Sequence, residues 1–140
     1  CEIIQECADL GFDEILLTNC GYPAADTGTL GWIKVGDAYP KGSLDTILTP
    51  FLEQVKEALA PYDTKLSVIA AGSELADETA DTGLTMTNVL ANCDHIWVTA
   101  EDAASYANFA GAAADLSEKL VLISSARGSD EAAWAILNGY

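Results

Sequence analysis

Apolar residues follow two rhythms along this chain. Short unbroken runs alternate with stretches in which they return every three or four positions. The first rhythm marks strands covered on both faces, as in a parallel sheet, and the second marks helices with one buried stripe. Ile3, Ile4, Cys7, Ala8 and Leu10 recur at helical spacing from Cys1 to Leu10, and Gly11 supplies the stop. A strand is expected over Asp13 to Thr18 around the run Ile15, Leu16 and Leu17.

The pattern then repeats. Ser43 is placed to cap a helix from Leu44 to about Ala60, with Leu44, Ile47, Leu48, Phe51, Leu52, Val55 and Leu59 on one face and Pro61 closing it. Lys65 to Ala71 reads as a second strand, Leu84 to Leu90 as a short helix, and Asp94 to Thr99 as a third strand. Asp102 to Leu116 is an alanine-rich helix, Leu120 to Ser124 a fourth strand, and Asp130 to Leu137 a final helix. The expected class is α/β, built of parallel strand-helix repeats.

Two architectures accept that order: about half of a (β/α)8 TIM-type barrel, or a small open doubly wound sheet. No G-x-G-x-x-G and no G-x-x-x-x-G-K-[ST] follows any strand, which favours the half barrel. The opening inside a helix, without Met or a signal-type segment, leads to the expectation that residues 1–140 are a single domain or a fragment, the carboxyl-terminal half of a barrel. The longest apolar runs fall far short of a bilayer span, so no membrane insertion is expected.

The segment from Cys20 to Ser43 holds five glycines and two prolines with Tyr22, Trp32 and Tyr39 among them. That is too long and too aromatic for a plain connector, and it makes a candidate site loop. A small strand over Leu30 to Val35 and a turn at Tyr39-Pro40-Lys41-Gly42 are expected inside it.

Charge narrows the partners. Against 22 acidic residues stand six basic ones, a net charge of −16 that repels nucleic acid and anionic lipid. Neutral sugars, cations and basic polymers stay compatible, and a plain solubility surface is preferred to a functional field. Cys1, Cys7, Cys20 and Cys93 form no C-x-x-C pair, and His95 is the only histidine, so no metal site and no cofactor is expected. Buried free thiols at Cys7 and Cys93 fit better than a disulfide framework.

The distinctive stretch is G-F-D-E-I-L-L-T-N-C-G-Y-P, Gly11 to Pro23. It resembles the strand signature of a bacterial family of glycoside-hydrolase-like proteins with a (β/α)8 barrel fold, G-F-D-E-I-x-F-D-Y-x-R-F-P. Gly11, Phe12, Asp13, Glu14, Ile15 and Pro23 coincide, and Tyr22 replaces an aromatic with an aromatic. Leu52 to Val68 is similar to the family's helix, proline and K-x-S-V strand, and Thr82 to Val98 to a short helix followed by a strand opening at Asp94. The resemblance implies a carbohydrate partner and, if it holds, an extracellular or cell-envelope location.

The departures fall where chemistry would be. The family's strand-end aspartate corresponds to Thr18, its arginine to Gly21, and the aspartate after the serine of the next strand to Ile69. Glycoside hydrolysis normally uses two carboxyl groups about 5 Å apart, or about 7 to 9 Å apart in inverting enzymes. Glu74, just past the second strand, and Glu101 and Asp102, just past the third, are the candidate catalytic replacements; Asp102 equally fits as a helix cap, and the two glutamates as solvated loop residues.

Asn19, Tyr22, Trp32, Tyr39 and Trp97 are candidate sugar binders, since sugar rings stack their C–H faces on aromatics and bond amides through their hydroxyls. Hydrophobic packing is the plainer role for the aromatics. Arg127, with Ser124 and Ser125, follows the fourth strand and is placed to hold an anion or a hydroxyl. Asp13, Glu14 and His95 sit at strand entrances, where capping or ion pairing is expected. The leading expectation is a carbohydrate-active barrel module that hydrolyses or binds glycans. The alternatives are a catalytically degenerate glycan-binding or scaffold domain and, behind it, a doubly wound domain serving protein interaction.

Overall fold

The computed structural model describes residues 1–22, 44–70, 75, 82–99, 118–123 and 129–137. Its elements run α1 (Glu2–Asp9), β1 (Glu14–Leu17), α2 (Asp45–Leu59), β2 (Lys65–Ile69), α3 (Met86–Asn92), β3 (His95–Thr99), β4 (Leu120–Ile123) and α4 (Ser129–Leu137). The expected strand over Leu30 to Val35, the turn at Tyr39 and the helix over Asp102 to Leu116 lie outside the described residues.

The four strands form one parallel sheet in the order β1-β2-β3-β4. The protein is thus an α/β structure in which each described strand is followed in the sheet by the next described one along the chain. Such an order suits an arc of a barrel or one half of a doubly wound sheet, and the described strands contain no reversal of order of the kind that makes a switch point. Because all strands run the same way, Leu17, Ile69, Thr99 and Ile123 end at one rim, and Glu14, Lys65, His95 and Leu120 begin at the other.

Alternation sorts the strand residues onto two faces. One face carries Ile15, Leu17, Leu66, Val68, Ile96, Val98, Leu120 and Leu122, all of which belong to or pack against the buried core. Against it α2 sets Leu48, Leu52, Val55 and Leu59, a stripe at helical spacing with Leu52 and Val55 fully buried, and α3 adds Val89. Each such side chain contributes about 1.5–3 kcal/mol by leaving water. The other face, joined in register through Leu16↔Ser67↔His95 and Ile69↔Trp97↔Val121, is mixed: Glu14, Leu16, Ser67, Ile69, His95, Trp97 and Val121.

Three local expectations are corrected. Phe51 is 41% exposed, because the buried stripe of α2 passes through Leu48, Leu52 and Val55 and leaves Phe51 at its margin. The cap position of α2 is Leu44, which makes no side-chain capping bond; Ser43 itself lies outside the described residues. Residues Met86–Asn92 form α3, two positions later than the apolar spacing suggests, because Thr85 and Asn88 make a capping box. Asn88 N donates to Thr85 Oγ1 at 3.1 Å and Thr85 N donates to Asn88 Oδ1 at 3.0 Å, which satisfies two donors at the helix start.

Candidate functional site

The strand entrances gather a polar cluster. Glu14 at the start of β1 reaches across β2 to β3, where His95 Nδ1 stands 2.9 Å from Glu14 Oε1. Between them Ser67, fully buried, donates its hydroxyl to the same carboxylate oxygen. The Ser67 bond is the main reason the Glu14 carboxyl titrates below its ordinary 4.5; burial opposes it, and the His95 hydrogen bond and charge reinforce it. Trp97 lies on the same face, two residues beyond His95. Its buried Nε1 makes no hydrogen bond of normal geometry, and its N–H adds the smallest of the contributions holding Glu14 down.

Glu14 and His95, each expected to cap or pair at a strand entrance, pair with one another here. The hydroxyl of Ser67 points at Glu14 and is bonded there, so the histidine does not activate it. What sequence reasoning missed is that Glu14, Ser67 and His95 meet. The available signal was a polar residue in each of three largely apolar strands, Glu14, Ser67 and His95, which fall on one face once the register is known. Further hydrogen bonds close the same end: Lys65 N donates to Asp13 O at 2.9 Å, the Thr64 hydroxyl to Phe12 O at 2.9 Å, and Leu66 N to the Asp94 carboxylate oxygen Oδ2 at 2.9 Å.

The strand exits are different. Thr18 and Asn19 are exposed just beyond β1, and Asn19 has φ 52, a left-handed conformation that Asn accepts more readily than most residues. The chain then turns onto the segment before α3. Tyr22 N donates to Thr82 O at 2.8 Å, and a Cβ at Gly21 would stand 3.1 Å from Leu84 Cδ1 and 3.3 Å from Thr82 O. Gly21 therefore serves close packing. Gly83 (φ +77) is a second tight point, because a Cβ there would meet Leu44 O at 2.8 Å.

On the mixed face near this rim Ile69, 37% exposed, is the register partner of Trp97. Of the expected binders, Asn19 and Tyr22 thus share the β1 exit, while Trp97 stands on β3 beside Ile69, with its indole on the face that would line a barrel. Trp32, Tyr39 and Arg127, and the candidate catalytic residues Glu74, Glu101 and Asp102, lie outside the described residues.

The four cysteines are free thiols; Cys93 is buried, and burial pushes its thiol up to about 12, whereas Cys7 and Cys20 are half-buried and Cys1 is exposed. Among the described residues no group of three or more His, Cys, Asp or Glu is arranged to hold a metal ion, and no helix is long and apolar enough to cross a membrane. No protein-family model, curated protein or solved structure matches the chain.

Proposed function

We propose that the chain is a carbohydrate-active barrel module whose strand exits bind glycan. The observation that carries this reading is the Glu14–Ser67 hydrogen bond, which joins the G-F-D-E-I segment to the K-x-S-V segment. These are the two stretches on which the resemblance to glycoside-hydrolase-like barrels rests, and they meet side by side in a parallel sheet. The exposed Ile69 beside Trp97, with Asn19 and Tyr22 at the neighbouring exit, offers apolar and amide groups of the kinds that sugars stack on and bond to.

A second reading, glycan binding without turnover, is favoured by Gly21 and Ile69. The first is committed to packing against Leu84 and Thr82, and the second presents a hydrocarbon where the family has a carboxylate. Hydrolysis would require a carboxyl pair drawn from Glu74, Glu101 and Asp102 or from outside the chain.

Titration against a panel of neutral oligosaccharides, paired with turnover of activated aryl glycosides, tests both. Binding with turnover that Glu74→Gln or Glu101→Gln abolishes supports the hydrolase. Saturable binding without turnover supports the binding module. Absence of binding across the panel rejects the carbohydrate reading.

A further inference from the structure

The mixed face of the sheet carries its polar and apolar groups in separate rows. Register sets Ile69, Trp97 and Val121 side by side on β2, β3 and β4, and Ser67 and His95 side by side one step nearer the entrances. The entrance row is already engaged, since Ser67 and His95 both bond Glu14. The row above it holds no charged side chain and no hydroxyl.

Each member of that apolar row keeps part of its surface open. Ile69 is 37% exposed, and Trp97 and Val121 are half-buried. The one polar atom of the Trp97 side chain, Nε1, is covered and unbonded, and its backbone oxygen accepts from Ala70 N at 3.1 Å. What Trp97 presents is therefore carbon, a surface to lie on rather than a donor to bond. Neighbouring strands stand about 4.8 Å apart, so three of them make a carbon strip about 10 Å across, room for two sugar rings.

Charge narrows what can lie there. A net charge of −16 repels anions, and the strip has no carboxylate with which to hold a cation; Glu14, on the same face, is occupied by Ser67 and His95. A neutral ligand with a flat C–H face is left. Resting on the reading of the strand exits as a glycan site, we propose that the row Ile69, Trp97 and Val121 is a stacking platform that selects β-1,4-linked pyranose chains whose hydroxyls are all equatorial, with Trp97 the specificity-determining residue. Successive rings of a β-1,4 chain are turned over relative to one another, so two rings on the strip set both kinds of ring face against carbon. When every hydroxyl is equatorial, both faces are C–H. An axial hydroxyl on each ring would press an O–H onto carbon at every second ring and forfeit its hydrogen bond to water. An α-1,4 chain curls away from a flat strip.

The test is calorimetric titration of the full chain with three neutral tetrasaccharides: β-1,4-linked glucose, β-1,4-linked mannose with its axial hydroxyl on each ring, and α-1,4-linked glucose. The first is expected to bind about tenfold more tightly than the other two. Its C–H protons should move upfield in NMR under the ring current of the indole. Trp97→Leu should weaken binding by about three- to tenfold and remove those upfield shifts, whereas Trp97→Phe, which keeps an aromatic face and discards only the covered N–H, should stay within about twofold. Ile69→Ser, at an exposed position where folding is not at stake, should weaken binding about threefold. Equal binding of the three sugars, or binding of the β-glucan that neither Trp97→Leu nor Ile69→Ser weakens, would overturn the platform and leave glycan binding standing. Binding of none would reject the glycan reading and the platform with it.

Discussion

The two ends of the parallel sheet are built from the same strands by opposite means. At the entrances Glu14, Ser67 and His95 tie three strands together through one carboxylate, and the Lys65 and Leu66 amides, bonded to Asp13 O and the Asp94 carboxylate, close the register around them. At the exits Thr18 stands exposed, Gly21 packs against Leu84, and Ile69 shows hydrocarbon to the outside. In a strand-helix barrel the entrances serve stability and the exits carry chemistry. The charged, hydrogen-bonded end of this sheet is the entrance end, and the described part of the exit end presents packing and apolar contact.

The hardest test of that contrast is an arginine in place of Gly21. Gly21→Arg places a Cβ within 3.1 Å of Leu84 Cδ1 and should cost about 2 kcal/mol in urea unfolding. An unchanged midpoint would mean that the exit is not committed to packing, and the contrast would fail.

Next in size is the opposite end. Ser67→Ala removes the buried donor to Glu14 and should cost about 1–2 kcal/mol at neutral pH. A loss below about 0.5 kcal/mol would show that the cluster is ornamental.

Replacing the carboxylate itself probes the electrostatics of the cluster. The Glu14 carboxyl is depressed below 4.5 in the folded protein, chiefly by Ser67, so its contribution is complete above that value and disappears as pH falls through the folded pKa. The stability gap between the native chain and Glu14→Gln should therefore be constant near neutrality and shrink steadily in acid below 4.5. A gap that widens in acid would contradict the assignment.

The smallest effect is expected at Thr18. It is exposed beyond β1, and Thr18→Asp should change stability by no more than about 0.5 kcal/mol. If this variant alone gained turnover of aryl glycosides, the exit would be one carboxylate short of a working site rather than rebuilt for binding.

Much of the framework was legible because it depends on local order. The run Ile15 to Leu17 and the stripe Leu48, Leu52, Val55 and Leu59 identify a covered strand and a half-buried helix without reference to anything distant. The start of α3 was misplaced because apolar spacing was read where the Thr85–Asn88 capping box decides. The entrance cluster was harder to see. Glu14 and His95 could each be placed at a strand start, but their meeting through Ser67 depends on the register of three strands, which no local pattern states. The packing role of Gly21 was hidden for the same reason, since Leu84 and Thr82 approach it from a distant part of the chain.

The span of the entrance contacts also says when they form. Leu66 and Asp94 are 28 residues apart in the chain, Glu14 and Ser67 are 53 apart, and Glu14 and His95 are 81 apart. Closing longer loops costs more entropy and delays contact. By that measure the β2–β3 and β3–β4 pairs, whose register partners Ser67 and His95 and Ile96 and Leu120 are closer in the chain than Glu14 and Lys65, are expected to form before β1 joins them. A contact made after the rate-limiting step leaves the folding rate nearly untouched and governs escape from the native state. The Glu14 carboxylate then acts as a latch on unfolding: its loss should appear in stopped-flow experiments as faster unfolding at an almost constant rate of folding.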